Sequence, residues 1–259
     1  MSKELLKESV RDFWDNEPCG TDRATFAEGS LEYFEEIESY RYRVESCIHS
    51  FAQFTRWHGK KILEVGCGCG TDLLQFARAG AEVYAIDLSP HSAALAKQRL
   101  NLYGLKGEIQ EADAEHLPFP DGYFDMVYSW GVLHHTPDTA AAVKEIYRVL
   151  KPGGQIRVMV YNRHSWIGLK LYLRWGLLTG KIFTPLSRIT AEHFESPGTK
   201  AYTPGETRKL FSVFSDLKIQ PILTYYDFIK VKGIFPPSWL VRLLGDRRGW
   251  FMAINGKKV

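Results

Sequence analysis

From Lys61 onward, short apolar runs alternate with segments of helical periodicity. Lys61 to Val65 reads as a strand, Thr71 to Arg78 as a helix, and Glu82 to Ile86 as a second strand. Ser89-Pro90 supplies a cap and a first-turn proline for a helix through Leu102. Gly107 to Glu111 follows as a short third strand and Phe124 to Ser129 as a fourth. Thr139 to Leu150 reads as a helix with its apolar residues on one side, and Gln155 to Val160 as a fifth strand. Lys151-Pro152-Gly153-Gly154 is expected to break those two elements apart. This order of strands and helices predicts an α/β chain built on a doubly wound parallel sheet.

The flanks are patterned differently. Up to His58 there is no strand pattern, but aromatic and charged residues are dense, so residues 1–58 read as a helical N-terminal extension or lid and 59–259 as the main domain. Most of those aromatics suit an ordinary helical core. The sharper expectation is that Phe13 and Trp14 close over a site and that Tyr33, Arg41 or Tyr42 reaches into it. Around 161–205 the pattern loosens into an inserted cap, within which Trp166 to Leu178 has helical apolar periodicity. Thr203-Pro204-Gly205-Glu206 has the form of a capping box opening a helix through Phe214. Late strands are expected near Lys218 to Tyr226 and Trp250 to Ile254, separated by the apolar, basic stretch from Ile229 to Arg248.

Chemistry concentrates after the first strand. In LEVGCGCGTD, Gly66, Gly68 and Gly70 strip the Cβ atoms from one edge of the turn, so backbone N–H groups can approach a ligand closely. Asp87, with Leu88 beside it, ends the second strand at the distance expected of an acidic partner for ribose hydroxyls. The Gly-x-Gly-x-Gly spacing departs from the dinucleotide fingerprint, and no Gly-Lys-Ser/Thr follows to grip a triphosphate, which favours a nucleoside without phosphates.

From about Lys60 to Val160 the chain resembles the class I S-adenosylmethionine-dependent methyltransferases, above all the ubiquinone/menaquinone-type and small-molecule group. The resemblance implies a Rossmann-like, seven-stranded, mostly parallel sheet whose last strand inserts beside the fifth as an antiparallel hairpin. It implies S-adenosyl-L-methionine as cofactor, S-adenosyl-L-homocysteine as product, and methyl transfer to an O, N, S or C nucleophile. Gly66, Gly68, Gly70, Asp87 and Leu88 would hold the cofactor, with Asp113 and Ala114 at the adenine and Ser129 and Trp130 at the end of strand four. Trp130 serves equally well as hydrophobic packing. His134 and His135 are the candidates for proton removal, of which one, taken as His135, faces the acceptor. Trp14, Tyr161 and Arg163 are the candidate acceptor contacts, although the polar run at Tyr161 to His164 also suits loop satisfaction.

Composition narrows the acceptor. A net charge of +3 is too small to imply nucleic acid, and Ser129-Trp130-Gly131-Val132 replaces the Asn/Asp-Pro-Pro-aromatic run of base-amine methyltransferases. A small-molecule acceptor is therefore expected, lipophilic or aromatic, with Trp166, Leu169, Leu171, Tyr172, Trp175, Leu177, Leu178, Phe235, Trp239 and Leu240 available to line a pocket or rest peripherally on a membrane. Core or oligomer packing explains the same spacing. An RNA or protein methyltransferase, or a non-catalytic cofactor-binding module, are the competing readings. Cys19, Cys47, Cys67 and Cys69 form no disulfide or zinc framework, and no His/carboxylate run has metal spacing, so no metal is expected. Met1 to Arg11 lacks the apolar core of a signal peptide, which predicts a cytoplasmic location.

Overall fold

A computed structural model describes residues 2–228 and 245–259 together with Trp239 and Leu243. Its centre is a sheet of seven strands: β1 (Lys61–Val65), β2 (Glu82–Asp87), β3 (Glu108–Glu111), β4 (Phe124–Trp130), β5 (Leu150–Tyr161), β6 (Ser215–Ile222) and β7 (Phe251–Lys257), ordered β3-β2-β1-β4-β5-β7-β6. The first five pair in parallel, while β7 inserts antiparallel between β5 and β6. The strand order reverses between β1 and β4, and open sheets of this kind bind ligands in the crevice outside the carboxyl ends at that point.

Nine helices accompany the sheet among the described residues: α1 (Lys3–Asn16), α2 (Leu31–Val44), α3 (Cys47–Ala52), α4 (Thr71–Arg78), α5 (Pro90–Leu102), α6 (Thr139–Val149), α7 (Trp166–Tyr172), α8 (Leu186–His193) and α9 (Pro204–Leu210). Side-chain alternation along each strand divides the core into two layers. On one face Ile62, Ala85, Met126, Tyr128 and Met159 pack with α3, α4 and α5. On the other, Leu63, Val65, Val127, Val158 and Ile254 pack with α6 and with Phe211 and Phe214. Both faces of the central strands are thus buried, as a parallel sheet requires.

The expected strands and helices are present, with local differences. Lys151 to Gly154 do not separate α6 from a later strand, because β5 begins at Leu150. Phe124 pairs with Leu150 and Met126 with Gln155, so these four residues bulge out of the ladder, Gly153 taking φ 78° to return the chain. The helix opened at Thr203 has the full capping box but stops at Leu210, where Phe211 turns inward and is buried. Strand β6 then starts at Ser215 and ends at Ile222, earlier than expected, and carries Pro221, which its edge position tolerates. The helix from Trp166 is capped by the Ser165 hydroxyl and passes at Leu173–Leu177 into one π turn. Phe235 and Leu240, and most of 229–248, lie outside the described residues. All four cysteines are free. Among the described residues no helix is long and apolar enough to cross a membrane.

Candidate active site

The glycine turn is shaped by what surrounds it. Gly66 has φ 76°, and a Cβ there would lie 2.3 Å from the Val132 side chain. Gly68, at φ 51°, would place a Cβ in open space at the cleft, and its N–H donates to Asp87 Oδ2 at 2.8 Å. Asp87 Oδ1 accepts from the Ser89 N–H at 3.0 Å. Burial raises the Asp87 carboxyl above its usual range, against the pull of the Ser89, Gly68 and Leu88 N–H groups. The turn and the carboxylate are therefore one hydrogen-bonded unit at the carboxyl ends of β1 and β2.

That unit forms one wall of a cleft that encloses about 1230 Å³ of empty space, open solvent at its mouth included. Leu88, Asp113 and Ala114 line it on one side, and Trp130, His135 and Tyr161 on the other. Helix α1 lies across the opening. Lys7 Nζ reaches Asp113 Oδ2 at 2.5 Å and Glu115 Oε2 at 3.1 Å, and Lys3 Nζ reaches Asp138 Oδ2 at 2.7 Å. At its other end Asp15 Oδ1 accepts from Ser89 Oγ at 2.7 Å and from the His91 N–H at 3.1 Å. Trp14 packs edge-on to the His135 ring, 5.2 Å between centroids, and Phe13 packs against Trp14. Burial pushes the Asp113 carboxyl up, but Lys7 and the Glu115 N–H outweigh it and hold it below the aspartate range.

The deep end of the cleft is charged. Asp72, in the first turn of α4, is buried there beneath three donors. Arg41 Nη2 donates to its Oδ2 at 2.8 Å, Tyr128 OH to the same oxygen at 2.8 Å, and Tyr42 OH to Oδ1 at 2.9 Å. Removing one member of a buried pair costs about 3–5 kcal/mol because the other is left uncompensated. Asp72→Ala is accordingly expected to lower unfolding free energy by about 3 kcal/mol in urea titrations, whereas a loss under about 1 kcal/mol would deny the cluster a structural role. Glu64 faces the same space from β1, with Oε2 buried and without a hydrogen-bond partner. Burial, then Asp72, raises its carboxyl well above the usual range. Glu45 completes this end, accepting from Trp130 Nε1 at 2.6 Å.

At the opposite end the two neighbouring histidines diverge. His134 is fully buried, lies tilted against the Tyr161 ring with 3.9 Å between centroids, has neither nitrogen hydrogen-bonded and does not line the cleft. Burial holds its pKa well below the imidazole range. His135 lines the cleft. Its Nδ1 lies 2.8 Å from Ser196 Oγ and 3.1 Å from Thr199 Oγ1, and its Nε2 lies 3.4 Å from Glu195 Oε2. Tyr161 OH donates to both oxygens of that carboxylate, at 3.0 and 2.8 Å. The fold brings ligand atoms of His134, His135 and Glu195 within 4.8 Å of one another, a metal-compatible grouping that sequence spacing could not reveal.

Besides His134, three expected site residues lie outside the cleft lining: Gly70, where a Cβ would meet Ala96 of α5 at 3.0 Å, Ser129 and Arg163. Ser129 is fully buried and outside the cleft lining, its hydroxyl donating to Val65 O at 3.0 Å, because strand alternation turns it to the face opposite Trp130. Arg163 turns outward beyond β5, pairs with the capping-box residue Glu206 and lines a separate surface pocket with Lys200 and Tyr202. Tyr42 and Tyr33 also stay out of the lining, while Arg41 is in it. Among residues not singled out from sequence, Glu64 had a readable signal, a carboxylate between apolar neighbours in a central strand. Lys7, Glu45 and Glu195 had none.

Comparison with known proteins agrees with this geometry. A family model described as a methyltransferase domain matches residues 63–158. The demethylmenaquinone methyltransferase of Geobacillus sp. (strain WCH70) is 31% identical over 170 residues, covering 58% of this chain and 72% of that protein. The chain belongs to the class I S-adenosylmethionine-dependent methyltransferases. The chloroplastic tocopherol O-methyltransferase of Arabidopsis thaliana is 42% identical over 105 residues, 39% of this chain and 30% of that one. In fold, the magnesium protoporphyrin IX methyltransferase of Synechocystis PCC 6803, solved with bound S-adenosylhomocysteine, aligns with a TM-score of 0.62 at 17% identity over 98% of this chain and 100% of that one. For this methyltransferase the orphaned Glu64 oxygen and the open side of Gly68 are the features that fit the family's cofactor, since they leave a carboxylate and a close backbone approach unused by the protein itself.

Proposed function

We propose that this methyltransferase acts on a lipophilic, hydroxyl-bearing aromatic small molecule and that His135 removes the acceptor's proton. One observation carries the reading: the His135 ring lines the cleft, is anchored at Nδ1 by two hydroxyl oxygens, and keeps a buried Nε2 without a hydrogen bond, 3.4 Å from a carboxylate. With Nδ1–H donated to Ser196 and Thr199, the Nε2 lone pair is free to take a proton. The resulting imidazolium would pair with Glu195, whose orientation the Tyr161 hydroxyl holds. Trp14, Tyr161 and Phe251 give the surroundings an aromatic surface suited to a ring acceptor. The relatives named for demethylmenaquinone and tocopherol support the same class of substrate.

On this reading Asp87 takes the ribose hydroxyls, Asp113 and Ala114 the adenine edge, Arg41 the carboxylate of the cofactor's amino-acid end and Glu64 its ammonium. The sulfonium supplies an electrophilic methyl group, leaving the protein to orient the nucleophile, exclude water and move one proton. Helix α1 acts as a lid. Its polar straps at Lys3, Lys7 and Asp15 are partly exposed and individually weak, so they can release to admit cofactor and close again with Trp14 against the acceptor.

The carboxylate at position 87 makes affinity pH-dependent. Protonation converts an acceptor oxygen into a donor, and because burial raises this pKa, binding is lost as pH falls through a value above the usual aspartate range. Cofactor affinity measured calorimetrically is expected to decline well before about pH 4, and a constant affinity down to that point would contradict the assignment. The acceptor reading is tested by supplying methyl-labelled S-adenosylmethionine with pools of lipophilic hydroxyaromatics, small amines, RNA and protein. Label should enter the first pool; transfer only to another, or none to any, would refute it.

A further inference from the structure

The hairpin formed by α7, the π turn, the connecting residues 178–185 and α8 carries a charge and exposure pattern that the active site does not use. From Tyr161 to Ala191 the sequence contains no acidic residue, while Arg163, Lys170, Arg174, Lys181 and Arg188 punctuate it. At the tip every residue from Leu177 to Phe183 is exposed, and four of them are large and apolar: Leu177, Leu178, Ile182 and Phe183. Leu178 is 75% and Phe183 94% exposed. A stretch of hydrophobic side chains held out in water is costly unless something apolar receives it.

The tip is a built feature of the fold. The Leu178 N–H donates to Leu173 O, Lys181 N–H to Gly176 O and Thr184 N–H to Lys181 O, while Tyr172 OH donates to Ile182 O. These bonds satisfy the backbone polar groups on the inner side and leave the apolar side chains outside. Trp175 stacks on His193 across the hairpin, 4.2 Å between centroids, and the Arg174 guanidinium covers the Trp175 ring. Lys170 Nζ donates to Asp227 O, and in the sequence the stretch from Phe228 to Gly245 is again without acidic residues.

We infer that this hairpin is a membrane-docking element whose apolar tip enters the interfacial zone of an anionic lipid bilayer while Arg174 and Lys181 contact the headgroups. An exposed apolar apex flanked by Arg174 and Lys181, in a segment of sequence without acidic residues whose Arg188 and Arg163 pair with Glu192 and Glu206 outside it, is a pattern that both the hydrocarbon boundary and a negatively charged leaflet attract. A second copy of the chain, itself basic over the same segment, would bring like charges together. A partner protein would not call for so uniform an exclusion of carboxylates. Helix α8 runs from the tip toward the active site, ending at His193 beside Glu195, so docking would set the acceptor end of the cleft near the source of a lipophilic substrate. The exposed tip and its flanking basic residues are the same whichever acceptor is methylated.

The test is flotation of the full chain with phosphatidylcholine vesicles, plain or containing about a third phosphatidylglycerol. Binding is expected to the anionic vesicles at least about tenfold more tightly than to the neutral ones, and to weaken as salt rises. The pair Leu178→Asp and Phe183→Asp should reduce it by about tenfold or more, and the pair Arg174→Glu and Lys181→Glu should abolish the preference for anionic lipid. Both variants should bind S-adenosylhomocysteine as the unaltered chain does, which reports folding independently of the membrane and of the acceptor. Absence of vesicle binding by chain that still binds S-adenosylhomocysteine would overturn the inference, as would undiminished binding by the aspartate pair. So would a dimer in sedimentation that the same pair dissociates, because the tip would then be covered by a second copy.

Discussion

Replacing Asp87 with alanine should weaken binding of S-adenosylhomocysteine by about a hundredfold or more, since hydrogen bonds to a charged group are worth roughly 1.5–3 kcal/mol each and two hydroxyls would lose their acceptor. The loss has a second source. Asp87 Oδ2 accepts from the Gly68 N–H, so the variant also frees the turn at the residue whose open side faces the cleft. Asp87→Asn retains one acceptor oxygen and should fall between the two. Calorimetric titration checks both variants, and unaltered affinity in the alanine variant would remove Asp87 from the ribose site.

His135→Ala should lower kcat by about 10²–10⁴-fold while leaving S-adenosylhomocysteine affinity close to that of the unaltered chain, the range expected when a positioned general base is lost. The contrast with cofactor binding separates proton removal from scaffolding. His135 lines the cleft beside Trp130 and Tyr161, whereas the residues proposed for adenine and ribose line its other side. Glu195→Gln acts through His135 and should cause a smaller fall, because it removes the charge that stabilises the imidazolium but leaves the base in place. Turnover by His135→Ala equal to that of the unaltered chain would reduce this residue to packing against Trp14.

Much of the fold was readable because two periodicities coincide with unambiguous punctuation. Gly66 to Gly70 marks the end of β1, Ser89-Pro90 the start of α5 and Thr203 to Glu206 the capping box of α9. Sequence reading failed where tertiary pairing decided the outcome. Lys151 to Gly154 has the composition of a turn, yet pairing with β4 on either side of it and backbone hydrogen bonds to Lys258 hold it as a bulge of β5. Ser129 and Trp130 both end β4, but alternation places only the second at the cleft. Arg163 directly follows β5, as an acceptor contact would, but its side chain is captured by Glu206, more than forty residues away in sequence.

The site was legible in proportion to how local its signals were. Gly68 and Asp87 belong to one strand–turn–helix unit and its neighbouring strand, and their direct hydrogen bond follows from that adjacency. Lys7, Glu45 and Glu195 reach the cleft from three segments with no special composition, so only the folded chain brings them to it. Asp72 is intermediate. Its place in the first turn of α4 was visible, whereas its burial beneath Arg41, Tyr42 and Tyr128 depends on how α2 and β4 pack around it.

A crystal structure of the chain with S-adenosylhomocysteine tests the central claim most directly. It should show the ribose hydroxyls on Asp87, the adenine beside Asp113 and Ala114 under α1, and the sulfur turned toward the wall formed by His135 and Tyr161. A nucleoside bound away from the Gly68 turn, or a sulfur directed away from that wall, would contradict the account.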